Sequence, residues 1–146
     1  MTQTEAGPTA AATAPERHVY LAQVRYGDLD PQNHVNNVRM LAYLEDARVS
    51  FLRYKGLSND DGVFGPLVVA RTEADYVAPL LPRTEPVRVE LWVTEVRSAS
   101  FSLAYEIRDD DTVFLRARTV QVGFDVHTQR ARRLDNPERD FLAQYS

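Results

Sequence analysis

Apolar residues along the chain change their spacing twice, which divides the sequence into a short strand, one long helix and a run of strands. From 18 to 25 the segment HVYLAQVR alternates apolar and polar positions, as a half-buried strand does. Between 38 and 54 the apolar positions recur every three or four residues, and they include Met40, Leu44, Ala47 and Phe51. This spacing predicts an amphipathic helix that an asparagine cap at Asn36 or Asn37 begins and that Gly56 ends.

Four segments after the helix alternate with a period of two, which predicts four strands. They read PLVVARTEADYVAP, EPVRVELWVTEV, ASFSLAYEIRD and TVFLRARTVQVGF. The second segment aligns Val87, Val89, Leu91 and Val93 on one face. The third aligns Phe101, Leu103, Tyr105 and Ile107, and the fourth aligns Phe114, Val120 and Val122. We expect these faces to be buried. A short helix is predicted at 137–144, so the element order is β-α-β-β-β-β followed by a second helix.

A single long helix and a run of mostly antiparallel strands can bury their apolar faces together if the sheet curls around the helix. We therefore predict an α+β fold, with a long central helix wrapped by a curved, mostly antiparallel sheet of about five strands. Residues 17–146 form the one predicted domain, after a small and polar tail at 1–16 that is expected to be disordered. Apolar residues on the edge strands favour pairing with a second copy, so a homodimer is expected, and a tetramer stays open.

Composition narrows the range of partners and cofactors. The formal net charge of -4 and a pI of about 5.4 predict no broad cationic surface for nucleic acid or for an anionic membrane. No apolar run approaches the ~20 residues that span a bilayer. The absence of cysteine removes thiol nucleophiles and cysteine-ligated zinc, and it suits a reducing compartment, so a cytoplasmic location is expected. His18, His34 and His127 lack metal-ligand spacing, and neither a metal nor another cofactor is expected.

A cluster of acids and amides stands directly before the helix, in the segment YGDLDPQNHVNN at 26–37. The first N–H groups of a helix that begins at Asn36 or Asn37 point back towards Asp30, and the helix dipole adds positive charge there. A substrate carbonyl held against those N–H groups would lie near a carboxylate that attacks its carbon or takes a proton from water. This combination suits acyl transfer to water. The same residues can also act only as turn formers and caps, with Asp28 and Asp30 shaping the turn.

The cluster resembles the signature of the hotdog-fold acyl-CoA thioesterases of the 4-hydroxybenzoyl-CoA thioesterase type. The likeness rests on Arg25, Asp28, Asp30, HVNN at 34–37, Glu45 and Arg48 in YLEDAR, and the later segments ADYVAP and SASF. It extends over nearly the whole chain after the tail. The resemblance implies a hotdog fold, in which the sheet wraps the helix, and hydrolysis of an acyl-CoA thioester to a free acid and CoA.

The resemblance also implies roles for individual residues. Asp30 corresponds to the catalytic carboxylate, which acts as nucleophile or general base, and the N–H of Asn37 corresponds to the group that polarises the thioester carbonyl. His34 is expected either to orient water or the carboxylate, or to form supporting hydrogen bonds behind them. For the phosphates of CoA the resemblance indicates Arg97, Ser98, Arg130 and Arg132.

Several alternatives stay open. Glu45 could be a second catalytic carboxylate, as in another hotdog lineage, but an ion pair with Arg48 three residues later is favoured. The segment GDLDPQNH partly imitates the motif of hotdog acyl-CoA hydratases or dehydratases, and a non-catalytic acyl-CoA binding protein could share the fold. HVNN also resembles plant acyl-carrier-protein thioesterases, although Gln32 stands where they have asparagine. The sequence predicts neither the length nor the aromaticity of the acyl group.

Overall fold

The computed structural model describes residues 14–55, 57–58, 61–62 and 64–146. Its helices and strands are β1 His18–Ala22, α1 Asn37–Val49, β2 Leu57–Ser58, β3 Asp61–Gly62, β4 Leu67–Tyr76, β5 Val87–Val96, β6 Ser100–Arg108, β7 Val113–Asp125, β8 Arg130–Ala131 and α2 Asn136–Ala143. The predicted order of elements is confirmed, and the hairpin of β2 and β3 is an addition to it. Most of the predicted tail lies outside the described residues.

Six of the described strands form one sheet in which every pair is antiparallel. The order is β1-β5-β6-β7-β4, and the short β8 pairs with the end of β7. Helix α1 packs against this sheet, chiefly on β5 and β1. The predicted α+β architecture, with one long helix on an antiparallel sheet, is therefore confirmed.

Helix α1 begins where the amide cluster predicts it. Asn36 is the N-cap, and its Oδ1 accepts a hydrogen bond from the Val38 N–H at 2.8 Å. After Val49 the chain continues as a wider π-helical segment, Ser50–Lys55. The predicted end at Gly56 lies outside the described residues. The predicted apolar stripe is confirmed, since these four side chains are at most 2% exposed: Met40, Leu44, Ala47 and Phe51.

The sheet buries a face that the sequence assigns correctly on two strands and only in part on a third. On β5 and β6 the predicted faces are confirmed as core. On β7 the expected face is that of Phe114, Val120 and Val122. Phe114 is buried as predicted, but the register places Leu115, Thr119 and Gln121 opposite the core residues of β6. These three side chains are at most 1% exposed. Because two of them are polar, the prediction is wrong for Val120 and Val122, which are only half-buried.

Strand β4 is an exposed edge of the sheet. Among the described strands it pairs with β7 alone, with a bulge between Val69 and Arg71. Four apolar side chains at this edge are 41% to 49% exposed: Val68, Val69, Tyr76 and Val77. An edge strand with this much exposed apolar surface is typical of an interface with another chain.

Helix α2 is anchored by a buried ion pair. Glu138 is fully buried and accepts hydrogen bonds from both terminal nitrogens of Arg132, at 3.0 and 2.8 Å. It also accepts from the N–H groups of Gly65 and Asp135. Burial alone raises the pKa of Glu138, but the Arg132 guanidinium and the two N–H groups outweigh it, and the pKa lies below its ordinary value. The carboxylate therefore joins three segments of the chain.

Glu138→Gln is expected to lower the free energy of unfolding by about 3 kcal/mol at neutral pH, because it leaves Arg132 without its counter-charge. Urea denaturation measures this loss. Since the pKa of Glu138 is lowered in the folded chain, its ionised form stabilises the fold above the ordinary carboxyl range. That contribution is lost as the pH falls below about 4.5, so the two proteins should converge in stability there.

Glu95→Gln is the matched control for this prediction. Glu95 pairs with Arg97 at 2.9 Å and with Arg118 at 3.5 Å, but these three side chains are 41% to 70% exposed. Its loss should cost less than about 1 kcal/mol. Equal losses in the two variants would contradict a stabilising role for the buried pair.

Candidate active site

Asp30 lies at the start of a tight loop that leads into helix α1. Leu29 and Val35 form an antiparallel bridge across the loop. Inside it the Asp30 N–H donates to the His34 carbonyl at 2.8 Å, and the Asn33 N–H donates to the Asp30 carbonyl at 2.9 Å. Asn33 has a φ of 64°, a left-handed conformation that asparagine tolerates better than most residues. The turn residues therefore close the chain into one compact loop.

The Asp30 carboxylate is held in one orientation by this loop. Its Oδ1 accepts hydrogen bonds from the N–H groups of Gln32 at 2.9 Å and His34 at 3.1 Å. Its Oδ2 accepts no hydrogen bond from the described residues. The side chain is half-buried. One oxygen thus fixes the group, and the other is available to a ligand or to water.

The first N–H groups of helix α1 face the same region. The Asn36 side chain caps Val38, and the Asn36 N–H donates to the Asp28 carbonyl at 2.8 Å. The Asn37 N–H makes no hydrogen bond to any described residue. It is therefore a donor at the positive end of the helix dipole, available to a carbonyl oxygen.

A pocket of about 500 Å³ brings the carboxylate and the helix N-terminus together. Its residues come from the loop, from the first turn of α1 and from the segment after β4, and they are Asp30, Gln32, His34, Val35, Asn36, Asn37, Met40, Tyr76, Val77, Ala78, Pro79 and Leu80. The Val35 N–H donates to the Leu80 carbonyl at 2.8 Å, which ties the loop to that segment. The contribution of 76–80 follows from the tertiary structure, and the ADYVAP likeness was its only signal in the sequence.

His34 borders this pocket beside the carboxylate. Its backbone N–H and carbonyl both bind Asp30, so the residue shapes the loop. Its half-buried ring makes no hydrogen bond to any described residue and can reach water in the pocket. The backbone of His34 therefore supports the loop, and its imidazole is available to water in the pocket.

Asp28 has a structural role instead. It is buried, and its Oδ2 accepts hydrogen bonds from the Arg25 N–H at 3.0 Å and from the Tyr43 hydroxyl at 2.6 Å. Burial and the hydrogen bond to Asp28 raise the pKa of Tyr43 well above its ordinary value. The sequence pattern did not identify Tyr43 as a partner of Asp28, although Tyr43 lies two turns after Asn36 on the same face of the helix. The Asp28–Tyr43 bond fastens the loop to α1.

Glu45 lies apart from Asp30. It is exposed and borders a second pocket, which is described below. The expected ion pair of Glu45 with Arg48 is wrong for the described chain, because the Arg48 guanidinium turns towards the sheet and donates to the Tyr105 hydroxyl at 3.2 Å. The two candidate acids are thus in different pockets.

The two segments expected to bind the CoA phosphates lie side by side. The Leu134 N–H donates to the Ser98 carbonyl at 2.9 Å, and Arg139 donates to the Arg97 carbonyl at 2.8 Å. Arg97, Ser98 and Arg130 are exposed. Arg132 differs from them, since its guanidinium binds Glu138 and the Pro66 carbonyl and its Nε is buried without a partner.

These segments are far from Asp30 within one chain. The Asp30 pocket lies at the Tyr76 end of β4. The loop of Arg97 and Ser98 lies at the other end, where Leu67 pairs with Gly123 and the Gly123 N–H donates to the Ala99 carbonyl. Nine residues of strand separate the two ends, which is roughly 30 Å.

Over the described part of the chain, no group of three or more histidine, aspartate or glutamate side chains could hold a metal ion. None of its helices is both long and apolar enough to cross a membrane.

Comparison with known proteins gives one curated relative of limited extent. The uncharacterized protein YsmA of Bacillus subtilis (strain 168) is 29% identical over 82 residues. The match covers 56% of this chain and 54% of the relative, so the chain spans about half the length of that protein.

Solved structures match over more of their length. A thioesterase from Thermus thermophilus, complexed with coenzyme A and Zn, is 28% identical with a TM-score of 0.73, and the match covers 85% of this chain and 90% of that one. Slr0204, a 1,4-dihydroxy-2-naphthoyl-CoA thioesterase from Synechocystis, is 21% identical with a TM-score of 0.74, over 88% of this chain and 96% of that one. At that identity the likeness shows a shared fold, and the predicted hotdog fold is confirmed.

A family model decides the wider relationship. The model described as the thioesterase-like superfamily matches residues 24–144, which include the Asp30 loop, both helices and β4 to β8. The family resemblance seen in the sequence is therefore confirmed over most of the chain. The chain belongs to the thioesterase-like superfamily.

Proposed function

We propose that the protein is an acyl-CoA thioesterase that hydrolyses an acyl-CoA thioester to a free acid and CoA. The observation that supports this most is the pocket that Asp30 and Asn37 both border, since the Asp30 Oδ2 and the Asn37 N–H make no hydrogen bond to any described residue. A thioester carbonyl between them would meet a nucleophile or base on one side and a hydrogen-bond donor on the other.

The reaction follows from these two groups. The thioester oxygen accepts the Asn37 N–H and gains negative charge as the carbonyl carbon is attacked, either by Asp30 or by a water that Asp30 deprotonates. One such donor stabilises the transition state by about 3 kcal/mol. The C–S bond then breaks, CoA leaves as a thiol after protonation, and water supplies the oxygen of the new carboxylate. His34 lies where it can orient this water.

The CoA portion is proposed to bind between two subunits. If the exposed edges of two β4 strands pair about a two-fold axis, the strands run antiparallel and the Leu67 end of one lies beside the Tyr76 end of the other. The partner subunit's Arg97, the partner subunit's Ser98 and the partner subunit's Arg130 then approach the Asp30 pocket. Arg132 is left out of this proposed site, because its guanidinium is already paired with Glu138. The CoA complex of the Thermus thermophilus relative supports a coenzyme A ligand.

Asp30→Asn is expected to reduce kcat for acyl-CoA hydrolysis by about 1000-fold or more, because an amide neither attacks the carbonyl nor takes up a proton. The loop should survive, since an amide oxygen can still accept the two N–H bonds that Oδ1 accepts now. Thiol release from a panel of short, long and aromatic acyl-CoAs measures the rate, and circular dichroism verifies the fold.

Asp46→Asn makes the same chemical change at an exposed position elsewhere on α1 and is the control. It should remain within about two-fold of the wild type. Near-normal hydrolysis by Asp30→Asn would reject the proposal, and a loss found in Glu45→Gln instead would transfer the role to Glu45. Hydration of an enoyl-CoA without thiol release would favour the hydratase alternative, and acyl-CoA binding without turnover would favour a binding protein.

A mixed dimer tests the shared site. Asp30→Asn subunits are combined with subunits that carry Arg97→Glu and Arg130→Glu, and the heterodimer is purified through two different tags. If each pocket uses the carboxylate of one subunit and the arginines of the other, one of the two pockets is intact and the heterodimer has about half the wild-type activity. If each pocket is formed by one chain, the heterodimer shows no more activity than the arginine variant alone.

A further inference from the structure

A second pocket lies further along helix α1 than the Asp30 pocket. It has a volume of about 450 Å³ and lies between α1 and β4. Leu41 and Leu44 of the helix and Val69 of the strand provide apolar walls. Leu41 is one helical turn after Asn37. A group that extends from the Asn37 N–H along the helix therefore enters this pocket.

The far end of this pocket is polar. Arg48, Thr72 and Thr119 border it there, and the exposed Glu45 also lines the pocket. The axial rise from Asn37 to Arg48 is about 16 Å, and helical side chains lean back towards the N-terminus, which brings the guanidinium closer to the active site. The groove thus begins at a peptide N–H, passes apolar walls and ends at a cation.

Arg48 has no carboxylate partner among the described residues. Its one hydrogen bond goes to the neutral Tyr105 hydroxyl at 3.2 Å, and Glu45, which also borders the pocket, makes no ion pair with it. Burial raises the pKa of Tyr105, although Arg48 and Thr119 oppose this shift, so the phenol stays protonated and does not neutralise the guanidinium. A half-buried arginine in this state retains donors that a ligand anion can accept.

A network of buried polar side chains on the sheet fixes the position of Arg48. The Tyr105 hydroxyl also binds the Thr119 hydroxyl at 2.6 Å, and Thr119 binds the Gln121 side chain, whose Nε2 donates to the Phe101 carbonyl at 3.2 Å. Tyr105, Thr119 and Gln121 are each 1% exposed. Buried polar groups with satisfied hydrogen bonds hold one arrangement, so this network presents Arg48 as a rigid donor.

We infer that the acyl group of the substrate lies in this groove and ends in a carboxylate that binds Arg48, which makes the preferred substrate the CoA monothioester of a medium-chain dicarboxylic acid. This inference rests on the proposed function. The apolar walls match the methylene chain, and the guanidinium matches the terminal carboxylate in charge and geometry. A plain fatty acyl group of the same length would leave the donors of Arg48 that do not bind Tyr105 against a methyl group without an acceptor.

The test compares acyl-CoAs that differ only in the terminal group. The kcat/KM for thiol release is measured for three pairs of equal carbon number: adipoyl-CoA with hexanoyl-CoA, suberoyl-CoA with octanoyl-CoA, and sebacoyl-CoA with decanoyl-CoA. In at least one pair the dicarboxylic substrate should be preferred about ten-fold or more. Equal or lower kcat/KM for the dicarboxylic member of every pair would overturn the inference and leave thioesterase activity intact.

Substitutions at Arg48 test whether this residue causes the preference for dicarboxylic acyl groups. Arg48→Met should lower the dicarboxylic preference about ten-fold, and Arg48→Lys should restore part of it, because lysine keeps the charge without the bidentate geometry. Arg53→Met is the matched control, since Arg53 is an exposed arginine near the same end of the helix, and its ratio should stay within about two-fold of the wild type. An unchanged ratio in Arg48→Met would overturn the role of Arg48. A variant that loses only its ability to form the dimer would also overturn it, because that result would indicate that Arg48 pairs with a carboxylate of the partner subunit.

Measuring acyl-CoA affinity without turnover distinguishes a failure of this inference from a failure of the proposed function. Calorimetry with the Asp30→Asn variant compares the affinity of suberoyl-CoA and octanoyl-CoA without turnover. If the wild type hydrolyses neither but the variant binds suberoyl-CoA at least ten-fold more tightly, the thioesterase proposal fails and the groove assignment stands. Equal affinities overturn the groove assignment whether or not hydrolysis occurs. Should Arg48→Met fail to fold in circular dichroism, the wild-type ratios and the lysine variant still decide.

Discussion

The closure of the loop at 29–36 onto the first turn of helix α1 is the constraint on which the site depends. A bridge between Leu29 and Val35, two N–H bonds to one oxygen of Asp30, and the cap at Asn36 all act within eight residues. They orient the carboxylate before any ligand arrives. Such preorganisation removes the entropy that a mobile acid would lose on binding. Asp28 then transmits this order to the body of the helix through its short bond to Tyr43.

The exposed edge of β4 links the fold to the proposed chemistry. The strand separates the Asp30 pocket at one end from the loop of Arg97 at the other, and its outer edge has no partner among the described strands. An antiparallel edge-to-edge contact brings unlike ends together, which a parallel contact would not do. The same geometry that leaves apolar side chains exposed in one subunit thus supports a site completed by two.

The polar network below helix α1 shows that stability alone does not explain this core. Tyr105, Thr119 and Gln121 occupy fully buried positions where apolar side chains would pack without hydrogen-bond requirements. Each polar group adds a desolvation cost that the network has to offset. The network meets the groove at Arg48, so its rigidity bears on what the groove accepts. The ion pair of Arg132 and Glu138, by contrast, lies away from the groove and fastens α2.

The sequence by itself determined the order of the elements, the cap at Asn36, the buried stripe of α1 and the faces of β5 and β6. These features depend on local periodicity and on side chains near in sequence. The sequence also indicated Asp30 and Asn37, because a cap and its neighbouring acid are local too. Only the tertiary structure decided that Thr119 and Gln121 face inward, that Arg48 binds Tyr105 and not Glu45, that residues 76–80 complete the pocket, and that Arg132 pairs with Glu138. Those contacts join residues distant in the chain, and strand register and packing, which no local pattern encodes, select them.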